Sequence, residues 1–99
     1  MNYIDKIARS IGEMMPGNPP ELLRLYALLV LTVGEDVTLE NVHDAWSAWR
    51  AATRPDDPSL IPFPELEPGV QELDRNYARA IRRVAEAQPR GDRNQCPSP

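Results

Sequence analysis

Several residue types on which enzyme chemistry depends are nearly missing from this chain. Its 99 residues hold one cysteine and one histidine. Lone Cys96 has no partner for an intramolecular disulfide, and with a single His43 it cannot assemble the ligand set of a zinc site. Five scattered glycines form no phosphate-cradling loop,. Without a nucleophile–base pair, a P-loop or a metal set, the remaining candidates are paired acids, Asp56 with Asp57 and Glu65 with Glu67, which sit in a proline-rich stretch and read as solvated loop charges. The sequence therefore predicts no enzyme, no catalytic residue, no metal and no cofactor.

Long hydrophobic runs are also lacking. The most apolar stretch, Glu21 to Thr32, covers roughly three helical turns, against the ~20 apolar residues that a bilayer demands. No membrane span is expected, and Asp5 and Glu13 inside the first apolar pattern argue against a signal peptide. A basic field is absent too. The net charge is −4, which predicts no nucleic-acid partner, since phosphate neutralisation needs lysine and arginine in excess. Together with the lone cysteine these points predict a cytoplasmic protein.

What is present is helical periodicity punctuated by proline. Leu22, Leu23, Leu25, Tyr26, Leu28, Leu29, Val30 and Leu31 make a helix that is apolar on every side except near Arg24, so it must be surrounded. Pro19 and Pro20 suit its first turn, and Gly34 suits a left-handed position after its end. Before it, Ile4, Ile7, Ala8, Ile11, Met14 and Met15 recur at helical spacing behind an Asn2 cap. After it, Thr38 caps a third helix with Leu39, Val42, Trp46, Trp49 and Thr53 on a core stripe, and with His43 and Arg50 along the edge.

Pro55, Pro58, Pro62, Pro64 and Pro68 exclude regular structure from most of the next segment. Leu60, Ile61, Phe63 and Leu66 nevertheless give it enough apolar surface to lie as an ordered strap, with Leu60 and Phe63 packed between the third and fourth helices. The fourth helix opens at Pro68 and presents Val70, Leu73, Tyr77, Ala80, Ile81 and Val84 on one face. The expected architecture is all-α: a small four-helix domain, 1–88, with helices near 3–14, 20–32, 39–52 and 69–88 and the strap between the third and fourth. A flexible tail is expected at 89–99.

Charge is unevenly distributed. Ten acids fall between Glu35 and Asp74 against Arg50 and Arg54, whereas Arg75, Arg79, Arg82, Arg83, Arg90 and Arg93 crowd the end. Such asymmetry favours pairing with a protein partner or a second copy of the chain. The candidate ligand site lies on the third helix, where His43, Trp46 and Arg50 share a side. An imidazole, an indole and a guanidinium together suit stacking on a base and holding a phosphate.

Val42-His43-Asp44-Ala45-Trp46, Pro58-Ser59-Leu60-Ile61-Pro62-Phe63, Glu65-Leu66 and Val70 through Leu73-Asp74-Arg75 occur in an order and spacing that resemble the repeat domain named after ryanodine receptors. The resemblance runs from Val42 to about Val84. The Gly-Trp-x-Tyr-Gly turn usual in that family is replaced here by a shorter segment, and Phe63 stands where a tyrosine is usual. The whole chain is also similar to small proteins of actinobacteria and their phages. The resemblance implies a binding module and a ligand site of His43, Trp46, Arg50 and Phe63. It further implies a nucleotide-type signal, sensed or sequestered in phage–host conflict. The alternative is a structural or protein-interaction adaptor without a small ligand.

Overall fold

The computed structural model describes residues 2–88. The protein is all-α, with no strand among the described residues, and runs α1 (Tyr3–Met14), α2 (Pro20–Thr32), α3 (Leu39–Thr53), α4 (Pro68–Glu72) and α5 (Arg75–Glu86). The expected tail, with Cys96, lies outside the described residues. No helix among the described residues is long and apolar enough to cross a membrane.

The Asn2 carboxamide accepts the Asp5 amide at 2.8 Å and starts α1, which buries Ile7, Ala8 and Ile11. Gly12 lets α2 approach closely, because a Cβ there would stand 3.0 Å from Leu23 Cδ1. α2 packs against α1, α3 and α5, as an all-round apolar helix must. Its open side is a single line through Glu21, Arg24, Leu28 and Thr32, and Leu28 is 50% exposed beside Arg24. Gly34, at φ +66°, takes the left-handed turn out of α2,. A 3₁₀ turn at Gly34–Asp36 then brings Val37 into the core. From α5, Arg82 donates to the carbonyls of Glu35 and Val37 at 3.1 and 2.9 Å and fixes that turn.

α3 begins with a capping box between Thr38 and Asn41. Its stripe differs from the expected one. Val42 and His43 are buried, whereas Trp46 and Trp49 are half-buried and Thr53 is exposed. The histidine belongs inside because the strap lies over it and offers a carbonyl, and the tryptophans form the rim.

The strap also differs from its expected packing. Leu60 and Phe63 are half-buried, and Leu66 is the apolar residue that goes inside, at 7% exposure. Polar side chains hold the backbone. Gln71 Nε2 donates to the carbonyls of Phe63 and Leu66 at 3.0 and 3.1 Å, and His43 binds the carbonyl of Ile61. A segment rich in proline has more carbonyls than N–H groups, so side-chain donors must complete its hydrogen bonding.

The expected fourth helix is in two pieces. Leu73 and Asp74 keep right-handed helical angles, but their amides bond three residues back, to Val70 and Gln71. This tightened join rotates the first piece relative to the second. Leu73, expected on the buried face, is 68% exposed.

Candidate functional site

A cleft of about 650 Å³ opens where the α1–α2 turn, α3 and the α4–α5 join meet. Its floor comes from Leu22 and Tyr26 of α2, one side from His43, Trp46 and Trp49 of α3, and the other from Val70, Leu73, Asp74, Asn76 and Tyr77. Pockets that hold small molecules usually combine a size of this order with a largely apolar wall and a few polar groups.

The tyrosines are fixed by packing. The Tyr26 and Tyr77 rings lie 5.4 Å apart at a 42° tilt, and the Tyr77 hydroxyl is 3.2 Å from Asn18 Oδ1, to which it donates. Asn18 in turn donates to the Met15 carbonyl at 2.8 Å, so the α1–α2 turn is tied to α5. Burial, then the nearby Tyr77 and Asp74, push the Tyr26 phenol well above its ordinary range, which keeps it neutral,.

His43 is 4% exposed. Its Nε2 lies 2.7 Å from the Ile61 carbonyl. A carbonyl only accepts, so Nε2 carries a proton and donates it to Ile61, with the Ser47 hydroxyl 3.3 Å from the same nitrogen,. The imidazole stacks on Trp46 at 5.7 Å and meets the Phe63 ring at 6.1 Å and a 54° tilt.

Of the four expected site residues, the structure brings His43 and Trp46 to the cleft and leaves Arg50 and Phe63 outside its lining. The Arg50 guanidinium lies 6.0 and 5.6 Å from the centres of the Trp46 and Trp49 rings, and its Nε donates to Asp57 at 2.7 Å. It ties the strap to α3. This bond, with the Ser59 amide on the other carboxylate oxygen, holds Asp57 below its usual range. Phe63 packs behind His43.

The residue that sequence reasoning missed is Asp74. Its carboxyl makes no hydrogen bond or ion pair among the described residues and does not cap α5, although Asp74 stands at the N-cap position. Burial pushes its pKa up to about 6, with His43 opposing the rise,. One signal in the sequence pointed to it. Asp74 lies four residues after Val70 and three before Tyr77, an acid on the apolar face of the helix. Among the described residues no three His, Cys, Asp or Glu side chains stand together as a metal set.

Residues 2–86 match a family described as a domain of unknown function, DUF7701. The chain belongs to that family. The DUF7701 match takes in α1 through α5, and with them every residue lining the cleft. No curated protein and no solved structure matches the chain.

Proposed function

We propose that this DUF7701 protein is a non-enzymatic binding module whose ligand occupies the cleft between the α1–α2 turn, α3 and the α4–α5 join. The observation that carries the reading is the cleft itself. Four aromatic side chains, Tyr26, Trp46, Trp49 and Tyr77, line about 650 Å³ beside the Asp74 carboxyl, which has no hydrogen bond or ion pair among the described residues. Binding is favoured over catalysis because the lone histidine spends Nε2–H on the Ile61 carbonyl, so the Ser47 hydroxyl, 3.3 Å from that nitrogen, meets a donor there and not a base,. The resemblance to the ryanodine-receptor repeat domain points to the same class of function. The cytoplasm is the proposed setting, supported by the lone Cys96 and the absence of a crossing helix among the described residues.

A nucleotide-type signal, with or without a role in phage–host conflict, could place its base on the aromatic wall. Its phosphates would find no lysine or arginine among the described residues that line the cleft. A thermal-shift screen with adenine nucleotides, neutral aromatics and amines tests the reading. A ligand at 100 times its Kd stabilises the fold by about 2.7 kcal/mol, which for a domain of this size is a rise of roughly 10 °C or more in Tm. A flat response to every compound class would remove the basis for the binding reading.

The adaptor reading has its own support in a shallow groove of about 610 Å³ lined by Arg79, Arg82 and Arg83 with Met14. Its charge is opposite to that of Asp56, Glu65 and Glu67 on the strap. Sedimentation at low and high salt distinguishes it: salt-sensitive dimers support pairing of copies, and a monomer throughout opposes it.

A further inference from the structure

We propose that the cleft selects an organic cation, an ammonium or guanidinium on an apolar or aromatic body, with the charged group against the Asp74 carboxylate and the body against the tyrosine and tryptophan rings. The inference rests on the reading of the cleft as a ligand site and names the chemistry of what enters.

Charge decides the matter. The titratable groups that line the cleft are Tyr26 from α2, His43 from α3, Asp74 at the α4–α5 join and Tyr77 from α5. The α1–α2 turn contributes Met15, Gly17, Asn18 and Pro19, and the strap contributes Ser59, none of them charged. Among the described residues no lysine or arginine takes part, and Arg50, which flanks the tryptophans, is bonded to Asp57. An anion entering here would meet only a like charge. A neutral ligand would shut the carboxylate further from water without giving it a partner, which is costly. An ammonium supplies both an opposite charge and three hydrogen-bond donors.

Hydrogen-bond capacity points the same way. The Asp74 carboxylate makes no bond among the described residues, the Tyr77 hydroxyl donates to Asn18, and His43 Nε2 donates to Ile61. The Tyr26 and Ser59 hydroxyls and the Asn76 carboxamide also line the cleft, but the Asp74 carboxylate alone among these groups only accepts, so the group that complements it is rich in donors. The aromatic lining adds ring faces that attract cations within about 6 Å. Arg50 already exploits the same indoles at 6.0 and 5.6 Å.

A free amine and the basic side chain of a partner peptide share this chemistry, and separate probes tell them apart. The two tryptophan indole N–H signals, followed by ¹⁵N NMR, report on the site. Tyramine, its neutral isostere 2-(4-hydroxyphenyl)ethanol and the anion 4-hydroxyphenylacetate would be titrated at pH 7.5 and pH 5, with N-acetyl-lysine methylamide and a lysine-containing peptide alongside. At pH 7.5 tyramine should bind at least about tenfold more tightly than the alcohol or the acid, a ratio in the range of one charge-assisted hydrogen bond. That advantage should shrink at pH 5, where Asp74 holds its proton, and vanish in Asp74→Asn. Tighter binding of the peptide than of tyramine would assign the cation to a partner protein, and the reverse to a free amine. An alcohol that matches the amine, a preference for the acid, or an amine preference that survives in Asp74→Asn overturns the inference and leaves the cleft standing as a ligand site. Indole signals that no probe moves overturn both.

Discussion

The two halves of this small domain are held together by different means. The α1–α2 hairpin with α5 is fixed by apolar burial: Ile7, Ile11, Leu22, Ala27, Val30, Ile81 and Val84 pack in one cluster. In the other half α3 joins that cluster through Val42, but the strap and α4 are fixed by side chains bonding to backbone or to one another. His43 holds the Ile61 carbonyl, Gln71 those of Phe63 and Leu66, and Arg50 holds Asp57. Burial is tolerant of which apolar residue fills a place, whereas a directed bond needs one side chain at one position. The cleft lies where the halves meet, so its apolar floor comes from the first and the histidine and tryptophans of its wall from the second.

The largest expected effect separates the halves by cavity. Ile81→Ala empties a fully buried site and should cost about 2–5 kcal/mol, enough to lower Tm by 10 °C or more in a domain of this length. Phe63→Ala, in a half-buried position outside the main cluster, should cost less than half as much. Equal losses in thermal melts would mean that the strap is as much a part of the core as α5.

Next in size is the pH response of the cleft. Asp74 titrates near 6 in the folded chain and near the ordinary 3.8 when unfolded. Below about pH 4 both states hold the proton. Between about 4 and 6 the folded state still binds it and the unfolded state does not, so stability falls as pH rises through that window and levels off above it. Asp74→Asn should therefore be more stable than wild type at pH 7.5, by about 1–2 kcal/mol once partial solvent access is allowed for, and no more stable at pH 4. Asp57 and Glu72, held low by Arg50 and Arg75, respond in the opposite sense in both proteins. The difference between variant and wild type isolates Asp74. A difference that does not change with pH contradicts the assignment.

The last effect is no larger in total, and it is local. Gln71→Ala removes two bonds to the strap, and should cost about 1–2 kcal/mol. Amide exchange should accelerate at Leu60, Glu65 and Leu66 and stay slow in the middle of α1 and α2, because the strap can open without unfolding the hairpin. Uniform acceleration would show one cooperative unit in place of two.

This division also explains what could be read from the sequence. The spans of α1, α2 and α3 follow from apolar spacing, the Asn2 and Thr38 caps and Gly34, all signals that act within a few residues. The 3₁₀ join at Leu73 and Asp74 carries no proline or glycine to announce it, and the Gln71 bonds to the strap that accompany it run to residues five and eight positions away. His43 was placed on the edge of α3 because its partner, the Ile61 carbonyl, lies eighteen residues away and a backbone oxygen leaves no mark in composition. Arg50 read as a free guanidinium for the same reason, its partner Asp57 being one acid among many. The site was half legible: residue type drew attention to His43 and Trp46, Asp74 left a trace as an acid on an apolar helix face, and Tyr26 and Tyr77 join the site only through the packing of α2 against α5.

Titration of the Asp74 carboxyl carbon by ¹³C NMR tests most directly that an unpartnered acid lies inside an aromatic cleft. A midpoint near pH 6, with the ring signals of Tyr26 and Tyr77 shifting over the same range, is the expected result. A midpoint near 4 with silent tyrosine rings would place the carboxyl in open water and contradict the account of the cleft.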